Sequence, residues 1–292
     1  MTLPPVSEPA EAQKTDAAQA TVAAQDVTLR RVHTTGGGGD RILPTWLRYV
    51  APVVVGGLIL LLWSLYVASG AAPRMLPSPA EIGAEFVLRW DIIAEDMLVT
   101  ATNALVGLIA GSLLAVLLAG LAAAARPVDG MLAPLVAALA VIPIVAITPI
   151  LNTMFGASSQ FGRQAVAMIA AFIPVFVNVL RGFRQTRPVH RDLLRASAAT
   201  RSQTFRLLTL PTALPYLLTG LRIAASLAVI AALVAEYFGG PADGIGTAIA
   251  TYAKSGRAAL AWAYVVGGII IGLVFFLVTS LLERLATRRS PV

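Results

Sequence analysis

Apolar and polar positions along the chain fall into long blocks rather than alternations. Six blocks, at about 50–69, 98–124, 130–154, 164–182, 212–238 and 260–281, are long enough to cross a bilayer as helices, because a span needs about 20 largely apolar residues. The pattern therefore predicts an all-α, polytopic membrane protein with about six transmembrane helices. Between the first two blocks lies LPSPAEIGAEFVLRWDIIAEDM, in which Pro77 and Pro79 break the chain before a charged, amphipathic stretch at 80–96. That stretch is expected to lie along the membrane interface. Residues 1–45 are rich in Ala, Thr, Gln and Glu and end in TTGGGGD, too poor in large apolar side chains for a core, so a disordered cytoplasmic tail is expected. The first apolar run begins only near Val50, late for a signal peptide, and reads as an uncleaved anchor. The expected layout is a tail at 1–45, a transmembrane domain at 46–286 and a short cytoplasmic end at 287–292.

Composition agrees with the blocks: 57% of the 292 residues are hydrophobic, 13% are charged, and the mean hydropathy is +0.79. The net charge of +7 changes the picture only through its placement. With the N-terminus inside, 16 Lys and Arg fall in cytoplasmic segments and 5 in outside loops, namely Arg74, Arg89, Arg163, Lys254 and Arg257. That bias predicts both termini in the cytoplasm and a multi-pass protein of the inner membrane. Basic residues gathered between apolar blocks suit anionic lipid, not nucleic acid. There is no cysteine and there are two histidines far apart, His33 and His190. No HExxH, GxSxG or phosphate-loop pattern occurs, so neither a catalytic site nor a metal site is expected.

The longest basic interruption is RDLLRASAATRSQTFRLLTLP at 191–211. Arg184, Arg187, Arg191 and Arg195 follow at intervals of three, four and four, which would stack them on one helical face. Anionic lipid would explain those arginines alone. The small run Ala196 to Thr200, and Phe205 with Leu208 three residues on, suit docking into a partner's groove better than a lipid surface.

This stretch resembles the cytoplasmic loop signature of binding-protein-dependent ABC importer permeases. Asp192 stands at the acidic position, Ala196 and Ala199 lie in the small run, Ala198 stands where the family has glycine, Phe205 at the aromatic and Leu208 at the aliphatic position, and Leu210 with Pro211 ends the motif. Asp replaces Glu, and Leu193 and Leu194 replace two alanines. If that position adopts a positive φ, Ala198 would be strained by about 1 kcal/mol. LPSP at 76–79, FIPVFVN at 172–178, LPTALPYLLTGLRIA at 210–224, and VAEYFGG and GIG within 234–246 look like the nitrate, sulfonate and taurine branch. The resemblance implies the type I ABC importer permease fold and a coupling loop at about 184–211 resting on an ATPase subunit. It also implies a second permease subunit, expected as a homodimer, an extracytoplasmic substrate-binding protein, and a small anionic or zwitterionic solute such as a sulfonate, taurine or nitrate. ATP and magnesium would sit on the partner ATPase, with no cofactor on this chain.

Polar residues inside the blocks are candidates for the translocation pathway. Arg222 and Glu236 lie 14 residues apart in one block, about 21 Å along a helix, so they cannot pair directly. Either could face a pathway or another helix, and either could serve structure only, with Arg222 snorkelling. Asn103, Asn152 and Asn178 are further candidates, with interhelical hydrogen bonding the expected role for Asn103. Pro134, Pro143, Pro149 and Pro174 interrupt the third and fourth blocks, and Gly107 with Gly111 suggests close helix packing. The loop at 239–260 could dock a binding protein or be an ordinary solvated loop. A secondary transporter or channel working without an ATPase, and a membrane enzyme, are the alternatives. The first lacks mid-membrane acids, and the second lacks an acid, base and nucleophile cluster.

Overall fold

The computed structural model describes residues 45–156 and 158–287, and every regular element among them is helical. The expected tail and the last five residues lie outside the described residues. In chain order the helices are α1 (Thr45–Ala68), α2 (Pro79–Leu88), α3 (Trp90–Ala124), α4 (Arg126–Val141), α5 (Ile144–Phe155), α6 (Phe161–Arg184), α7 (Pro188–Ala196), α8 (Arg201–Tyr237), α9 (Ile245–Lys254) and α10 (Ala258–Thr287). The chain divides into two units after Leu61. Of the first unit, the described part is Thr45 to Leu61, an apolar run that contains Pro52.

Long apolar segments make α1, α3, α6, α8 and α10 candidates to cross a membrane. The block at 130–154 is not one straight span: α4 and α5 meet at 97°. The cause is local. Ile142, just before Pro143, takes an extended ψ of 123°, because the proline ring disfavours the helical region for its predecessor. Pro134, Pro149 and Pro174 lie within helices instead of interrupting them. The stretch at 80–96 also departs from expectation. Its first half is the capped helix α2, where Ser78 and Glu81 exchange reciprocal hydrogen bonds of 3.3 and 2.9 Å. From Trp90 the chain is already in α3, whose 35 residues reach about 52 Å, beyond the roughly 30 Å apolar core of a bilayer.

The core is built where α6 packs between α3 and α8. Small residues make that close approach possible: Ala167, Ala170 and Ala171 on α6, and Ala224, Ala228, Ala231 and Ala232 on α8 are buried. On α3 a Cβ at Gly107 or Gly111 would collide with Ala167 or with the carbonyl of Met168. The GxxxG spacing thus serves helix packing.

Candidate functional site

At one end of this three-helix core, the turn at 238–247 is held by a buried polar clasp. The helix α9 starts at Gly244, φ 85°, with no capping side chain of its own, and the first backbone N–H groups of a helix need acceptors. Three distant side chains supply them. Gly244 N–H donates to Asp96 Oδ1 at 2.8 Å, Ile245 N–H to Thr100 Oγ1 at 2.9 Å, and Gly246 N–H to Glu236 Oε2 at 3.0 Å. Glu236 also accepts from the Thr100 hydroxyl at 2.8 Å and from Asn103 Nδ2 at 3.3 Å. Carboxylates at this helix start suit its positive end.

Arg163 closes the other half. Its side chain is wholly buried, and Nη1 donates to Asp243 Oδ1 at 2.7 Å and to Gln160 Oε1 at 3.1 Å. Nη2 donates to the carbonyls of Gly239 and Pro241 and to Thr247 Oγ1. Gln160 donates to Asp243 and accepts from Asn103, which in turn accepts from Gln164. One connected network therefore joins α3, α6, α8 and the turn. The segment 239–260 is no ordinary solvated loop: Ile245, Gly246, Ala248, Ala250 and Leu260 are buried. Nor is Arg163 a loop charge, since it lies inside α6.

The residues expected in a pathway separate. Asn103 and Glu236 belong to the clasp. Asn152 is buried and donates to the Ala235 carbonyl at 3.1 Å, tying α5 to α8. Asn178, half-buried, donates to the Pro174 carbonyl of its own helix at 2.8 Å. Arg222 Nη1 meets Glu283 Oε2 of α10 at 3.1 Å, and the same carboxylate accepts from Thr219 at 2.7 Å. Glu283 escaped sequence reasoning because the apolar block ends near residue 281, whereas α10 continues to Thr287. Arg163 and Asp96 were missed because each flanks an apolar block and looks like an interfacial charge.

The opposite end carries the basic stretch. It does not form one arginine face: α6 stops at Arg184 and α7 begins at Pro188, so Arg184 and Arg187 stand outside the helix that holds Arg191 and Arg195. The helix α7 ends in a Schellman turn, with Ala199 N–H donating to the Leu194 carbonyl and Ala198 N–H to the Arg195 carbonyl. Ala198 has φ 54° and is the one positive-φ residue other than glycine among the described residues. Thr200 and Gln203 then form a capping box that starts α8. Before Pro211 the helix widens into a π turn at Phe205–Thr209, where Leu210 N–H reaches the Phe205 carbonyl. Pro211 has no N–H for the Leu207 carbonyl and its ring crowds it, which favours the wider turn.

Exposure divides the residues expected to couple. Asp192, Ala196, Ala198, Phe205, Leu210 and Pro211 are exposed, while Ala199 and Leu208 are half-buried. Phe205 is 46% exposed, with its ring 6.1 Å from that of Phe183. Val189 and Leu193, one turn apart on α7, are 73% and 65% exposed, and sequence reasoning passed over both. Their i, i+4 spacing beside charged neighbours was the available signal.

The family described as binding-protein-dependent transport system inner membrane component matches residues 93–290. The formylaminopyrimidine transport permease protein of Halalkalibacterium halodurans is 34% identical over 187 residues, covering 62% of this chain and 73% of that one. The riboflavin transport system permease protein of Chloroflexus aurantiacus is 30% identical over 234 residues, 79% and 87% of the two chains. The taurine transport system permease protein of Escherichia coli is 26% identical over 253 residues, 81% and 88%. A crystal structure of the inward-facing MetNI methionine ABC transporter matches with a TM-score of 0.60 at 17% identity, covering 68% of this chain and 97% of that one. The helical order, the motif at 192–211 and these matches agree: the chain belongs to the family of binding-protein-dependent transport system inner membrane components, the permease subunits of ABC importers.

Proposed function

We propose that this permease couples to a separate ATPase subunit through α7 and the turn that follows it. The observation that carries this reading is the exposed apolar pair Val189 and Leu193 on a short helix with no buried residue, followed along the chain by exposed Phe205 and Leu207. Helix-in-groove docking needs such anchors on one face. Hydrolysis and its magnesium belong to the partner, and closure of the ATPases would move α6 and α8 through the loop that joins them. The loop lies in the cytoplasm in this reading, with both chain ends. The burial of Arg163 within α6 removes it from the outside loops and sharpens the positive-inside bias.

The clasp then faces the extracytoplasmic side, where α9 offers a firm surface to a substrate-binding protein, and a second copy of the chain completes the pathway. Asn178 and Arg222, both partly exposed, are the proposed pathway contacts of this subunit, whereas Asn152 and Glu236 act in packing. The solute is proposed to be small, with a polar or anionic group, as sulfonates, taurine or nitrate have. The relatives' names cover both such anions and heteroaromatic compounds. Arg163 and Arg222 are each paired with a carboxylate, so selection by charge falls to the binding protein. Co-purification tests the coupling: Leu193→Asp and Phe205→Asp should each release the ATPase at unchanged expression, and retention in both would refute the docking face. Thermal-shift screening of the binding protein against sulfonates, nitrate and heteroaromatic compounds would identify the solute.

A further inference from the structure

Between the basic loop and the ends of α3 and α6 lies a cleft of about 570 Å³. Arg191, Arg195 and Arg201 line it, together with Thr204 and Thr209. Its remaining wall is apolar and small: Gly120, Ala123 and Ala124 from the last turns of α3, with the rings of Phe183 and Phe205. We infer that this cleft binds the headgroup of an anionic phospholipid, with the upper part of the acyl chains against the apolar wall.

Charge supports this occupant first. Seven arginines lie between 181 and 206, and among the described residues only two of them meet a carboxylate: Arg184 pairs with Asp129, and Arg195 meets Asp192 at 3.6 Å with both side chains well exposed. Arg191 and Arg201 have no acidic partner among the described residues, although they share a cleft. Guanidinium groups gathered without counter-charge repel one another, and a phosphate diester relieves that repulsion through bidentate hydrogen bonds. Depth supports it next. Helix α3 ends at Ala124 and α6 ends at Arg184 with Arg181 and Arg184 in its last turn, so the cleft lies at the ends of two membrane-crossing candidates, where headgroups are expected. The amphipathic lining completes the match: a free phosphate compound would use the arginines and leave the apolar wall wet, whereas a phospholipid uses both. The cleft shares Phe205 with the proposed docking face, but Val189 and Leu193 do not line it and Ala124 lies outside that face, so the two readings can fail separately.

The experiment uses the full chain purified in a neutral detergent. Phosphatidylglycerol or phosphatidylcholine is added, and both the melting temperature and the lipid retained in native mass spectrometry are read. Phosphatidylglycerol should raise the melting temperature more than phosphatidylcholine, and the difference should shrink between low and high salt. Arg191→Gln/Arg195→Gln/Arg201→Gln should lower phosphatidylglycerol retention by about tenfold or more. Arg187→Gln/Arg206→Gln, in the same loop but outside the cleft, should retain it. Ala124→Phe, which fills the apolar wall and keeps every charge, should also lower retention, so the test does not depend on the triple variant folding. Equal stabilisation by phosphatidylcholine, equal loss in Arg187→Gln/Arg206→Gln, or unchanged retention in Ala124→Phe would overturn the site. So would glycerol phosphate stabilising as well as the lipid, or a triple variant that loses the ATPase while keeping phosphatidylglycerol.

Discussion

The two ends of α3, α6 and α8 treat arginine in opposite ways. At the clasp, Arg163 is wholly buried and spends its guanidinium on a carboxylate, a side-chain amide, a hydroxyl and backbone carbonyls. At the other end, seven arginines share two acidic partners among the described residues. Desolvation explains the contrast. A guanidinium withdrawn from water must find acceptors within the protein, and Arg163 finds them for both terminal nitrogens while its buried Nε has none, so the clasp arginine is committed to holding the turn at 238–247. Arginines left in water have no such obligation and stay available to partners or lipid. One end is built to hold its shape, the other to be touched.

Breaking the clasp should cost most. Arg163→Met leaves the Gly239 and Pro241 carbonyls without their donor and Asp243 with Gln160 alone, and should destabilise by about 3 kcal/mol, read as a lower thermal unfolding midpoint in detergent. An unchanged midpoint would mean that the network contributes little to holding this end. Glu236→Ala comes next. It leaves the Gly246 N–H and Asn103 short of an acceptor, at about 1–3 kcal/mol, and should speed proteolysis within 238–247 while cleavage at 197–200 stays as it was. Faster cleavage at both places would show that the two ends are not independent.

Smaller effects sharpen the contrast from the loop side. Ala198→Gly should stabilise the turn after α7 by about 1 kcal/mol, because glycine carries no penalty at φ 54°. Slower hydrogen exchange at the Ala199 amide would report it, and faster exchange would contradict the turn. Leu193→Asp should change stability least, within about 0.5 kcal/mol, since the side chain already faces water. A large fall in its unfolding midpoint would show that α7 packs on something within the chain.

Sequence reasoning reached the helices well because each carries its own apolar run, and a run is a local property. It reached the loop motif for the same reason: Asp192 to Pro211 are neighbours in the chain, and the strained Ala198 stands where a glycine was expected. It also located the breaking proline, though not which of four prolines would bend the chain, since Pro134, Pro149 and Pro174 are accommodated inside helices. It missed most of the clasp. Asp96 and Arg163 read as charges at the edges of apolar blocks, and only the folded chain shows that they face inward. Asn103 was correctly expected to bond between helices, but its partners Gln160 and Glu236 could not be named from spacing.

What the sequence determined by itself is therefore the membrane character of the chain, the approximate positions of its apolar runs, and the exposed loop with its small, aromatic and proline positions. Burial of apolar surface and local backbone sterics decide these within a few turns of chain. The tertiary structure alone decided which charges are withdrawn from water. Glu236 meets Thr100 and Asn103 across 136 and 133 residues, and Arg163 meets Asp243 across 80. Such pairs exist only after α3, α6 and α8 have packed, because each group finds its counterpart on another helix or on the turn that follows one.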